Sequence, residues 1–433
     1  MTPAPVELLL DEYQLTMADS HVAQGTADDR VAFEMFVRRL PPHRGYLIAA
    51  GLESAIDRLA DMRFHQPALE YLERQAICGA RLLARLAGLR FDGDLHAVPE
   101  GSMVQAGEPL LRVEGGRMVC QLAESYILNQ LNFQTLIASK AARLVGAAAG
   151  RPVVDFGFRR AHGAEAGVLA ARSAYIGGCT ATATVAAGFE WGIPTTGTTS
   201  HSFVMGFDHE LAAFAAYLRD QPQRATLLID TYDTLVGARN AILASRETGV
   251  PLQAVRLDSG DVDTLSRGVR ALLDEAGLAT TRILCSGDLD EYEIERLVGR
   301  GAPIDGFGVG TQLVTGGDVA ALGGVYKLVE SAGRPVMKTS LNKASLPGRH
   351  QVFRSPEGDV IGLADEDLPG RRLLEPVVKA GVRELPAPSL DEIRDRAAAE
   401  LAALPEASRR LRDPATVPTA LSPRLAALKE ALS

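Results

Sequence analysis

The residues best equipped for chemistry lie near the middle of the chain, in Gly197-Thr198-Thr199-Ser200-His201-Ser202. One histidine stands among small and hydroxylic side chains, just after Gly192-Ile193-Pro194. Small neighbours leave an imidazole open to a ligand, while hydroxyls and a glycine backbone can donate to phosphate oxygens. Such a histidine can act as a base, a phosphate ligand or a nucleophile. The competing reading is a turn whose histidine merely caps the next helix.

A second group of candidates closes a series of short apolar runs. Asp155, Asp230, Asp258, Asp288 and Asp305 each follow or end such a run. A single aspartate there is commonly a helix cap. Several around one mouth could hold ribose hydroxyls or a hydrated Mg²⁺. Arg256 and Asp258 are two apart and would face the same side of a strand. Phe156-Gly157-Phe158-Arg159-Arg160 sets an aromatic face beside guanidinium groups, which suits a planar anion. Its alternative is a core phenylalanine with surface arginines. His162 has no obvious partner and reads as structural or supporting. Ser286-Gly287-Asp288 and Gly308-Val309-Gly310-Thr311 place glycines after strands, where backbone amides can approach phosphate; tight turns would use the same residues. Neither is a dinucleotide fingerprint, and no Gly-x-x-x-x-Gly-Lys-Ser/Thr loop is present. Leu227-Leu228-Ile229-Asp230-Thr231-Tyr232-Asp233-Thr234 departs from the common diphosphate signature, because its acids are separated.

These residues need elements to carry them. Pro152–Gly157, Thr226–Asp230, Ala254–Gly260, Arg282–Asp288 and Ile304–Thr311 alternate with helical stretches, which predicts parallel βα units. Polar residues at the strand ends suit a barrel with its site on that face, and a doubly wound sheet fits the same pattern. Asp11–Met17 reads as a helix entry, Val31–Arg38 as a strand, and Asp92–Gly115 as turns and short strands. One long helix is expected from about Gln121 to Ala149, short strands return from Tyr326, and two or three amphipathic helices fill Ser389–Ser433.

Composition limits the function. The 433 residues are 46% hydrophobic and 23% charged, an ordinary globular balance for two or three domains. The net charge of −9 argues against a general nucleic-acid grip. No apolar run approaches the length of a membrane span. Met1-Thr2-Pro3-Ala4-Pro5 lacks the pattern of a secretion signal, so a cytoplasmic location is expected. The four cysteines are scattered without a CxxC pair, which predicts free thiols and no bound zinc.

Taken in order, several segments resemble the nicotinate phosphoribosyltransferases, a family of type II phosphoribosyltransferases. They are Asp11–Met17, Phe33–Arg38, Leu40–Tyr46, Asn132–Ile137, Asp155–Gly163, Gly197–Phe203, Arg256–Asp261 and Phe307–Thr311. The resemblance implies an α/β fold: an irregular α/β barrel beside a second α/β domain formed from both chain ends. The expected divisions are residues 1–125, 126–325 and 326–433, the last completing the first. It implies joining of nicotinate to 5-phosphoribosyl 1-diphosphate, with coupled ATP hydrolysis and Mg²⁺. By the same resemblance His201 is the histidine that ATP phosphorylates, and Asp258 faces the ribose. Tyr13, Phe156, Arg159, Thr198 and Arg256 would hold nicotinate, while Gly287, Gly310 and Thr311 would hold substrate phosphates. A homodimer with shared sites is implied, Tyr13 coming from the partner. The chain departs from the family where Ala181-Thr182-Ala183-Thr184-Val185 replaces Gly/Ala-Thr-Ser-Asn-Val, where Ser200 replaces alanine, and where Cys120 replaces a commonly acidic residue. Ala183 offers no hydrogen bond to a base, which keeps open a paralogue that ribosylates another aromatic acid. A non-catalytic nucleotide-binding relative is the further alternative.

Overall fold

Six short strands, Val153–Asp155, Ala181–Thr182, Thr226–Leu228, Ala254–Leu257, Arg282–Cys285 and Gly306–Val309, form one sheet in the computed structural model. The model describes residues 5–340 and 345–433. The opening Met1-Thr2-Pro3-Ala4, read above for a leader, lies outside the described residues. All five pairings in this sheet are parallel. Its order is second, first, sixth, fifth, fourth, third. That order is a circle cut once, between the second and third strands, and so an irregular barrel rather than a doubly wound sheet.

The cut has a local cause. The second strand is only two residues long, and the helix after it, Val185–Trp191, ends on Gly192 in the left-handed conformation (φ 69°). Pro194 follows and has no N–H for a ladder. The chain then crosses the gap irregularly. Thr195 makes an isolated parallel bridge to Thr182. Four residues on, the Thr199 hydroxyl accepts a hydrogen bond from the Leu228 N–H at 2.9 Å.

Strand alternation sorts these residues by face. Leu227, Ile229, Val255, Leu257 and Ile283 pack into a buried apolar cluster with Ala238, Ala241, Val269 and Leu273 of the flanking helices. Arg256 and Asp258, out of phase with them, are half-buried. These elements belong to a compact unit of Ile137–Ala320.

The second unit is Met1–Leu136 with Ala321–Ser433. Arg30–Val37 pairs antiparallel with Gly324–Ser331 on one side and Pro109–Gly116 on the other, inside a seven-stranded sheet. Phe33 stacks on Tyr326 with ring centroids 4.8 Å apart, and the Tyr326 hydroxyl donates to the Cys120 carbonyl at 2.8 Å. Helix Glu12–Gln24 begins with a capping box of Asp11 and Gln14.

The expected long helix is Glu124–Ala147, preceded by a separate short helix, Arg117–Leu122. One expectation for this unit needs correction. The tail holds helices Leu390–Ala403, Glu406–Arg409 and Pro423–Ala431, but also a strand, Thr419–Leu421. That strand adds in parallel to Gly358–Leu363, a long-range pairing that local periodicity does not encode. All four cysteines are free and buried. Among the described residues, no helix is long and apolar enough to cross a membrane.

Candidate active site

Ser200, not His201, caps the short helix His201–Met205: its Oγ accepts from the Phe203 N–H at 3.3 Å. This separates the imidazole from the capping task and leaves it partly exposed (41%). Nδ1 of His201 lies 3.2 Å from the Thr231 hydroxyl. Nε2 lies 3.8 Å from Oδ2 of Asp258.

The strand-end aspartates divide by role. Helix Thr234–Thr248 is capped by Asp233 and helix Val262–Glu275 by Asp261, each three residues beyond a strand-end aspartate. Asp230 and Asp258 are thereby released from capping and converge. Oδ2 of Asp230 accepts from the Asp258 N–H at 2.8 Å and the Ser259 hydroxyl at 2.7 Å. Its Oδ1 is buried without a hydrogen-bond partner. Oδ1 of Asp258 accepts from the Ser286 hydroxyl at 2.5 Å.

Asp155 is taken up by structure instead. It is buried and accepts from the Gly157 N–H at 2.8 Å and the Thr182 hydroxyl at 2.7 Å. Burial raises its carboxyl pKa, against both hydrogen bonds. Asp305 precedes its strand and accepts from the Ile283 N–H at 2.7 Å, away from the strand ends where the others gather. Asp288 is exposed, and Asp290 caps the helix Glu291–Gly299.

Phe156 and Arg256 form a second focus. The Arg256 guanidinium sits 5.8 Å from the Phe156 ring centroid. Burial lowers the arginine's pKa, while Asp258 and Asp230 oppose that shift; it stays a cation. Its Nε is buried with no hydrogen-bond partner. Nearby Arg159 is exposed and pushes the Arg256 pKa in the same direction as burial. The Phe156 N–H donates to the Val309 carbonyl at 2.8 Å, which ties the ring to the last strand.

Glycines permit the close approaches. Gly287 has φ +112°, and a Cβ there would lie 2.6 Å from the Asp258 carbonyl oxygen. Gly310 precedes Thr311, the exposed first residue of the short helix Thr311–Val314. Thr198 donates to the Thr199 carbonyl at 3.1 Å. His162 is exposed.

Nine of the ten expected site residues therefore lie in the barrel unit. Tyr13 lies on helix Glu12–Gln24 of the other unit, with 46% of its surface exposed. Burial, then the neighbouring Glu124 carboxylate, raises its phenol to about 12, so it stays protonated at neutral pH. The sequence reading did not single out Ser286 or Thr231 by themselves, nor the hydrogen bond at Thr199. Ser286 and Thr231 are hydroxyls just past strand ends, a signal that alternation could have raised, whereas Thr199 lies outside any strand. Among the described residues no group of three or more His, Cys, Asp or Glu could hold a metal ion.

A family model described as the nicotinate phosphoribosyltransferase N-terminal domain matches residues 8–132, and one for the C-terminal domain matches 366–429. Nicotinate phosphoribosyltransferase pncB2 of Mycobacterium tuberculosis (strain CDC 1551 / Oshkosh) is 45% identical over 427 residues, spanning 96% of this chain and 92% of its own. The Bacillus subtilis (strain 168) nicotinate phosphoribosyltransferase is 40% identical over 385 residues, 85% of this chain and 78% of its own. The crystal structure of human nicotinic acid phosphoribosyltransferase superposes with a TM-score of 0.87 at 30% identity, covering 98% of this chain and 100% of that one. With identity of this order sustained along almost the whole sequence, and the barrel fold in common, the chain belongs to the nicotinate phosphoribosyltransferase family.

Proposed function

We propose that this chain joins nicotinate to 5-phosphoribosyl 1-diphosphate, giving nicotinate mononucleotide and diphosphate for NAD salvage, with ATP hydrolysed through His201. The observation that carries the reading is the pairing of two foci at one set of strand ends: Arg256 over Phe156, and His201 beside Asp258. The first suits an aromatic carboxylate and the second a reacting sugar phosphate.

The pyridine nitrogen attacks the anomeric carbon while that carbon's bond to the diphosphate oxygen breaks. Positive charge develops on the ribose, so catalysis is chiefly positioning and charge placement. Phe156 stacks on the pyridine ring, and Arg256, with Arg159 and Thr198, meets its carboxylate through charge-assisted hydrogen bonds. Asp258, oriented by Ser286 and by its own N–H on Asp230, faces the ribose and offsets the developing charge. Gly287, Gly310 and Thr311 offer backbone and hydroxyl donors to substrate phosphates. With Nδ1–H donating to Thr231, Nε2 of His201 keeps the lone pair that accepts the γ-phosphoryl group of ATP, releasing ADP. Water later cleaves that phosphohistidine to inorganic phosphate.

Mg²⁺ fits this arrangement as a companion of the diphosphate. Such ions are commonly held by one or two carboxylates together with substrate phosphates. The unpartnered buried Oδ1 of Asp230 and the Asp258 carboxylate are the oxygens available. When bound, Mg²⁺ neutralises charge on the leaving group. A homodimer, in which Tyr13 of a second copy completes the base pocket, and a cytoplasmic location belong to the same reading.

The test is product formation from 5-phosphoribosyl 1-diphosphate, Mg²⁺ and ATP with nicotinate, nicotinamide or quinolinate. Product from another base but none from nicotinate overturns the proposal. His201→Ala is expected to abolish ATP hydrolysis and its stimulation of turnover. Undiminished phosphate release from that variant would show that the histidine is structural.

A further inference from the structure

The segment that carries His201 is not an ordinary loop. It fills the single cut in the barrel, bonded along both edges. On one edge the Thr182 N–H donates to the Pro194 carbonyl and the Thr196 N–H to the Thr182 carbonyl, each at 3.0 Å. On the other edge the next strand begins, and Thr199 meets it through its side chain. Thr199 is 5% exposed, and its hydroxyl accepts from the Leu228 N–H at 2.9 Å. Leu228 is itself fully buried and pairs with Arg256 across the ladder. A buried N–H must find an acceptor. Here a hydroxyl stands where a neighbouring strand would present a carbonyl.

Both segments then run on toward a second contact. Two residues past Thr199 lies His201, and three past Leu228 lies Thr231, whose hydroxyl is 3.2 Å from the imidazole Nδ1. Asp230, which holds the Asp258 backbone, stands between. Two contacts thus fix the histidine segment against the strand ends, one at the backbone of Leu228 and one at the imidazole. The first sets where the second can form.

We infer that Thr199 is a positioning residue: its hydroxyl closes the barrel cut and thereby holds His201 in reach of Thr231 and Asp258. This rests on the reading of His201 as the phosphorylated histidine. Thr199→Val keeps the shape but removes the acceptor, leaving the Leu228 N–H unpaired. His201 then loses its fixed approach, while Phe156 and Arg256 keep their own anchors. A displacement of this kind lowers a chemical step by about ten- to a hundredfold.

The experiment follows ³²P transfer from γ-labelled ATP to the protein, together with kcat and the KM for nicotinate. In the valine variant, labelling and kcat should fall about ten- to a hundredfold, a larger change than in the KM for nicotinate, which Thr198 on the same segment also affects. Thr199→Ser, which restores the hydroxyl without the methyl, should recover most of both. Thr199→Ala is the second variant, for use if valine does not fold, with the same loss expected. Wild-type labelling in the valine or alanine variant overturns the inference, as does a serine variant no better than valine. An unlabelled wild-type protein instead overturns the reading of His201, so the two failures are told apart.

Discussion

Replacing Gly308 by alanine tests how tightly the proposed base platform is built. Gly308 lies in the last barrel strand, and a methyl there would stand 2.4 Å from Cε2 and 2.5 Å from Cδ2 of Phe156. Carbon atoms settle at about 3.5–4.0 Å, so the ring must retreat by roughly 1.2 Å. Its backbone cannot follow freely, because the Phe156 N–H is bound to Val309, the residue after Gly308. The ring must therefore turn about its side-chain bonds, which changes its 5.8 Å spacing from the Arg256 guanidinium. Overpacking of this sort costs about 1–3 kcal/mol. Expressed in binding of the base, that is a KM for nicotinate raised roughly 5–150-fold. The assay is a nicotinate titration at saturating 5-phosphoribosyl 1-diphosphate, with a urea unfolding curve on the same preparation. Gly299→Ala is the control, since a Cβ there meets nothing within 4 Å. It should leave KM alone and change stability by no more than about 1 kcal/mol. An alanine at 308 with wild-type KM and wild-type stability would refute the reasoning, because it would mean that the ring is not held against the strand.

Other consequences concern buried charge. Burial, then the adjacent Asp359, pushes the Glu108 carboxyl up to about 8, despite hydrogen bonding from Gln105 and the Arg354 charge. The folded state thus keeps a proton that the unfolded chain releases from about pH 4.5, so stability falls as pH rises through that window toward about 8. Glu108→Gln should flatten this dependence, and thermal midpoints that decline equally in both proteins would count against it. Lys140 is buried with its Nζ 2.6 Å from Glu291 and 3.3 Å from Asp318. Burial alone would raise the Glu291 pKa, but Lys140 and Arg143 more than offset it and hold the carboxyl ionised. Lys140→Met leaves that carboxylate only partly compensated, and should cost about 3 kcal/mol in urea unfolding at neutral pH. An unchanged midpoint would show that Arg143 suffices.

Five of the six barrel strands were legible because each is a short apolar run closed by aspartate or glycine, whereas Ala181–Thr182 is too short to show a pattern. Arg256 and Asp258 even declared their shared face through their two-residue spacing. Three things were hidden. Asp230 and Asp258 gave the same signal as Asp155 and Asp305, and only the fold shows that the latter two are taken up by hydrogen bonds to Thr182 and Ile283 on neighbouring strands. The strand order that frames the cut depends on which strands pair, a non-local property that no window of sequence contains, although Gly192 and Pro194 at the cut itself are local breakers. Thr419–Leu421 lies among helices and takes its conformation from a distant partner. Ser200, by contrast, acts as a helix cap, which is a local matter of backbone donors.

The seven-stranded sheet also sets a timetable. Met35 pairs with Tyr326, about 290 residues further along the chain. A ribosome adding about 5–20 residues per second needs roughly 15–60 s to cover that interval. Once Pro109–Gly116 has been made it can cover one edge of Arg30–Val37, while the other edge waits for Gly324–Ser331. The barrel strands, all between Val153 and Val309, are synthesised before that edge is covered. A nascent chain of this protein therefore carries an open strand edge for most of its synthesis, a demand for protection during translation that the finished fold no longer displays.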